Sequence, residues 1–134
     1  MRTSLSLAAA VLALAVWVAP AASAETTVLP ERQGPPGVVF VDNPAIVDAY
    51  PMPAESFSRV PGDHAVAVHF TTGTPRCYGV HAIVTENAQT VSVELQSGSL
   101  PEAVGRACIM IAVSGTLEVP LGGPLGGRQV LSVS

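Results

Sequence analysis

The chain contains no lysine, which excludes P-loop nucleotide binding and Schiff-base catalysis, since both require an ammonium side chain. Its basic complement is six arginines against ten acids. A protein of that balance repels phosphate backbones and anionic membrane surfaces, so no nucleic-acid partner is expected. Three histidines, His64, His69 and His81, carry none of the short spacings that mark a zinc site, and no metal or cofactor is implied. The Gly-x-Ser-x-Gly signature of a serine nucleophile is absent, and Ser97-Gly98-Ser99 reads as a turn. The single tryptophan, Trp17, lies in an N-terminal apolar stretch. No repeat of 20 to 50 residues is visible, which removes solenoids and propellers.

The N-terminus has the layout of an export signal. Met1-Arg2-Thr3 is a short basic start, Leu5 to Val18 is almost wholly apolar, Pro20 breaks any helix, and Ala22-Ser23-Ala24 supplies small residues for cleavage after Ala24. The alternative is an uncleaved anchor, but an apolar run of about 14 residues is short for a bilayer span. Residues 1–24 are therefore expected to be a signal peptide. Removing them leaves 110 residues with five arginines and ten acids, a formal charge of −5, and only five aromatic residues.

Two cysteines in an exported chain, Cys77 and Cys108, most economically form one disulfide. Closing that loop stabilises the fold by about 3.5 kcal/mol in the chain-entropy description. Two free thiols are the alternative reading.

Residues 25–61 hold seven of the twelve prolines. Proline lacks the backbone donor that a central strand or a helix interior needs, so this stretch reads as an extended arm, disordered over 25–36 and then lying on a sheet edge. Residues 62–134 form the expected domain. Val66, Val68 and Phe70 alternate with Ala65, Ala67 and His69, which places a bulky face toward the core. Residues 76–86 and 89–97 read as a hairpin about Asn87-Ala88. That loop opposes Val84 to Val91, Ala82 to Val93 and Val80 to Leu95 on a core face, and His81 to Glu94 and Ile83 to Ser92 on a wet one. Returning Cys77 to the interior then requires a bulge at Tyr78-Gly79. Ala107 to Val113 is a continuous apolar run, expected to be a central strand buried on both faces. The repeat Pro120-Leu121-Gly122-Gly123, Pro124-Leu125-Gly126-Gly127 reads as a loop, because a phosphate cradle needs a helix behind it and only seven residues follow. Together these segments predict an all-β fold, a small antiparallel β-sandwich of immunoglobulin-like type with a proline-rich N-terminal arm, its cysteines bridging two strands across the sheets.

Function is less legible. The most concrete pair is His81 with Glu94, where a neighbouring carboxylate raises a histidine pKa and makes a general base or a pH-sensitive contact; an ordinary cross-strand pair is the plainer reading. Asp63 and His64 form a second acid–base candidate; Asp63, His64 and His81 could gather as metal ligands only through folding, and solvated strand histidines are the plainer reading. Phe57, Phe70 and Tyr78 are expected in the core. Arginines 59, 76, 106 and 128 are spread along the chain, so spacing argues for no carboxylate or phosphate clamp.

The run His69-Phe70-Thr71-Thr72-Gly73-Thr74-Pro75-Arg76-Cys77-Tyr78-Gly79, the Thr85-Glu86 turn entry, Ala107-Cys108-Ile109 and the closing Pro124-Leu125-Gly126-Gly127-Arg128 resemble a group of uncharacterised secreted proteins of actinobacteria, mycobacteria included. The resemblance spans roughly residues 44–134 and implies secretion, one disulfide and a single domain, with no catalytic residue to transfer. The expected function is thus that of a secreted or cell-envelope-associated, non-enzymatic binding protein. Its surface would be the wet face of His81, Ile83, Thr85, Ser92 and Glu94, or the loops at 71–75 and 98–105, and its partner an unidentified protein or envelope component. A purely structural envelope component is a further reading. The rival is a small secreted hydrolase or ligand carrier using His81 and Glu94 or Asp63 and His64. A concave pocket with converging polar groups separates the two.

Overall fold

Alternation of large and small side chains dictates the architecture. In the structure, a computed structural model describing residues 12–18 and 24–134, Val66, Val68 and Phe70 are each at most 1 % exposed. The expected signal segment lies mostly outside the described residues, and no helix among those described is long and apolar enough to cross a membrane. Among the described residues nine strands build two facing sheets: β1 (Thr26–Val28), β2 (Val38–Phe40), β3 (Val47–Met52), β4 (Ser56–Arg59), β5 (Ala65–Thr72), β6 (Tyr78–Glu86), β7 (Thr90–Ser99), β8 (Val113–Pro120) and β9 (Gln129–Val133).

In the first sheet β6 pairs with β7 along its whole length, while the far side of β7 is shared by β9 and β3, and β1 lies outside β9. The second sheet runs β2-β8-β5-β4. Most pairs are antiparallel, but β2–β8 and β7–β9 are parallel, so both sheets are mixed. Between them lies one apolar core that includes Val80, Val91, Val93 and Leu95 from the first sheet and Val66, Phe70, Leu117 and Val119 from the second. The fold is an all-β sandwich, as the sequence predicts.

Several local expectations are corrected. The hairpin keeps its two faces but not its register: Val84 opposes Val93, Ala82 opposes Leu95, and Ile83, not His81, opposes Glu94. The loop is longer because the Asn87 carboxamide oxygen accepts from the Gln89 and Thr90 amides, an Asx-type closure that makes a wider turn. A shift that moves each partner by two residues preserves the faces, since side chains alternate with period two.

No bulge occurs at Tyr78-Gly79, where Tyr78–Ser99, Gly79–Gly98 and Val80–Ser97 follow one register. Those glycines have another use. The Asn43 amide donates to Val80 O on the free edge of β6, Ile46 lies over Gly79 and Gly98, and Val47 then pairs with Ser99 on the opposite edge of β7. A Cβ on Gly98 would sit 2.8 Å from the Val47 carbonyl oxygen and 3.1 Å from Ile46 Cβ. Without side chains at those two positions the chain has room to cross the sheet. Residues 25–61 therefore contribute four short strands, with β1 and a bridge between Glu31 and Phe57 inside the stretch expected to lack order.

The largest departure is at residues 107–112. They form no strand, and Ile109, Met110 and Ile111 are 64 %, 96 % and 48 % exposed. The reason is a missing neighbour. β8 begins at Val113 opposite Thr72, the last residue of β5, and β2 covers it only from Gly115 onward. Beyond Thr72 the chain turns away through Gly73, Thr74 and Pro75.

Candidate functional site

The disulfide joins Cys77 to Cys108 with Cα atoms 6.2 Å apart. Neither cysteine lies on a strand, so the bridge is not the strand-to-strand tie across the sheets that was expected. Cys77 ends a tight turn in which the amides of both Cys77 and Tyr78 donate to Thr74 O. Cys108 lies on the irregular segment that follows the short 3-10 turn Pro101–Ala103. Among the described residues no backbone group of 107–112 bonds to other backbone, so the sulfur link and the start of β8 are what hold this segment.

Held in that position, the segment walls a groove of about 490 Å³ at one end of the sandwich. Tyr50 and Met52 of β3, the Thr71–Gly73 end of β5 and Tyr78 face Ile109–Ala112 across it. Gly73 is required here, because a Cβ would lie 2.5 Å from the Tyr78 ring. Met52 is buried, whereas Tyr50 is 53 % exposed and stands at the rim. Tyr78, expected in the core, instead lines this groove.

Ile109 also borders a second cavity of about 460 Å³, lined by Thr74, Arg76, Arg106 and the two cysteines. Residues far apart in sequence are thus brought together around the disulfide. The arginine spacing concealed it, and only the Cys77–Cys108 link, which places Arg76 beside Arg106, contained the signal.

The residues singled out from sequence are placed elsewhere. On the outer face of β6, His81 Nδ1 lies 2.9 Å from Asp42 Oδ1, which also accepts from the Ala82 amide at 2.8 Å. The partner of His81 is thus Asp42 of the arm, while Glu94 sits across from Ile83 and Thr85 from Ser92. Asp63 does not serve His64. Its carboxylate accepts from the Gly126 amide at 2.9 Å and from Arg59 at 3.0 Å. The Gly126 bond above all, with Arg59 beside it, holds Asp63 below the ordinary carboxylate range.

The same device recurs one repeat earlier. The Gly122 amide donates to Glu86, which pairs with Arg128 at 3.1 Å, and that amide chiefly, with the arginine, lowers the Glu86 pKa. Each Pro-Leu-Gly unit therefore sends a glycine amide to a carboxylate, and Leu125 plugs the core with no exposed surface. The donors at 122 and 126 are occupied within the fold.

His69, which alternates with the core-facing Val68 and Phe70, is itself only 6 % exposed. Its Nε2 is 2.9 Å from Ser58 Oγ and its Nδ1 2.9 Å from Thr116 Oγ1. Burial lowers its pKa, so the ring is held neutral between two hydroxyls. The order hydroxyl, imidazole, hydroxyl resembles a nucleophile and base, but Gly34 of the arm packs on the ring so closely that a Cβ would lie 2.3 Å from Nδ1. Ser58, itself 7 % exposed, has no open approach. Among the described residues no three of His, Cys, Asp or Glu gather as metal ligands. Comparison of the chain with protein-family models, curated proteins and solved structures gives no match.

Proposed function

We propose that the protein is a secreted, non-enzymatic binding protein whose ligand enters the groove between Tyr50, Tyr78 and Ile109–Ile111. One observation carries this reading: three consecutive large apolar side chains, Ile109, Met110 and Ile111, stay exposed beside a preformed cleft. A folded protein that leaves such a run uncovered gives it a partner, because burying apolar surface is the main driving force for association. The volume lies within the 300 to 1,000 Å³ typical of small-molecule sites. The Thr71–Gly73 loop end, rather than the wet face around His81 and Glu94, supplies the opposite wall. A disulfide supports an oxidising compartment, and the N-terminal signal pattern and the resemblance to secreted actinobacterial proteins point the same way. The location is the medium or the cell wall.

The test is binding of the neutral fluorophore Nile red to the mature protein. Fluorescence enhancement is expected, and Met110→Asp with Ile109→Asp should abolish it while the circular dichroism of the sheets persists. Enhancement unchanged in that folded variant would rule the groove out.

A further inference from the structure

We infer that the ligand of this groove is a single-chain amphiphile with an anionic head, a long-chain carboxylate, whose hydrocarbon lies along Ile109–Ile111 and whose head sits between Arg76 and Arg106. This rests on the groove reading above. Two adjoining cavities share Ile109, one walled mainly by apolar side chains and the other bordered by two arginines. That sequence of surfaces, oily and then cationic, matches the two ends of a soap-like molecule.

The arginines carry the charge argument. Arg59 pairs with Glu31 and Asp63, and Arg128 pairs with Glu86, so both are neutralised within the fold. Arg76 and Arg106 make no ion pair among the described residues, although the chain has ten acids to six basic residues. Two unpaired cations on one cavity of an acidic protein attract an anion, and planar guanidinium donors suit a carboxylate. Thr74 Oγ1, on the same cavity, lies 3.4 Å from the Arg76 amide, and its residue is 4 % exposed. The disulfide is then the floor on which the head group rests, and it holds the two arginines to one place.

The experiment uses the mature protein and three twelve-carbon probes: dodecanoate, dodecanol and dodecyltrimethylammonium, each measured by displacement of Nile red. Dodecanoate is expected to bind tightest, with dodecanol about tenfold weaker and the cation weaker still. Arg76→Gln and Arg106→Gln, both on exposed side chains, should each weaken dodecanoate about tenfold and leave dodecanol unchanged. Raising the salt to about 1 M should narrow the gap between acid and alcohol, because screening acts on the head alone. Lengthening the carboxylate should strengthen binding by about fourfold per methylene until the groove is full. Equal binding of all three probes, or arginine variants that leave dodecanoate unaffected, overturns the head-group assignment while the groove stands. Failure of every probe to displace Nile red overturns the assignment of hydrocarbon to the groove as well.

Discussion

Severing the disulfide separates what it does for the whole chain from what it does for one loop. Replacing Cys77 and Cys108 together by serine frees a span with a sequence separation of 31 residues, which in the unfolded ensemble is worth about 3.5 kcal/mol. The folded state also relaxes. Residues 107–112 have no backbone partners among the described residues, and a residue released from fixed dihedrals recovers about 1 kcal/mol or more. The two effects oppose, so the net loss is at most about 3.5 kcal/mol, up to about 15 °C in Tm for a domain of this size, and is reduced by each residue of 107–112 that gains freedom in the folded state. Thermal unfolding followed by circular dichroism measures that loss. Limited trypsin digestion measures the local one: cleavage after Arg106 should accelerate at temperatures where the β-sheet signal is intact. A variant with native Tm and native resistance at Arg106 would show that other contacts hold the segment. Complete loss of sheet structure would show that the bridge belongs to the core, contrary to its place outside every strand.

Two further outcomes are expected. Because the folded-state pKa of His69 lies below its ordinary 6.5, the unfolded chain takes up a proton that the folded chain refuses. Stability is therefore full above about pH 6.5 and falls as pH drops toward the folded value, by at most about 1.4 kcal/mol per pH unit; urea midpoints at pH 7.5 and pH 5.5 measure it, and a slope unchanged in His69→Asn would refute the assignment. Gly98→Ala should destabilise by about 1 to 3 kcal/mol, since the added methyl meets the Val47 carbonyl at 2.8 Å; a neutral result in denaturant titration would mean the crossing chain is loosely seated.

What the sequence disclosed follows from its periods. Alternation in Val66, Val68 and Phe70 and along the β6–β7 hairpin identifies inward faces, because a period of two survives an error of register. The pairing of Cys77 with Cys108 was legible from the export-like pattern of the N-terminus and from there being only two cysteines. Composition misled at Ala107–Val113: a run of apolar residues indicates burial only where strands exist to cover it, and β5 has already ended at Thr72. Proline content likewise understated the arm, since β1 to β4 are three to six residues long and fit between prolines or at sheet margins. The groove was hidden because its walls come from four separate segments. Asp42 and Glu86 escaped notice for the same reason, each meeting its partner across about 40 positions of chain.

The parallel pairing of Val38–Phe40 with Gly115–Leu117, and the pairing of Thr26–Val28 with Leu131–Val133, govern the order in which the molecule can assemble. The first sheet is incomplete until β9 joins it and the second until β8 does, so in each the earliest strand must wait, unlatched, for the latest. Such a topology, in which the pairings join residues far apart in the chain, folds slowly.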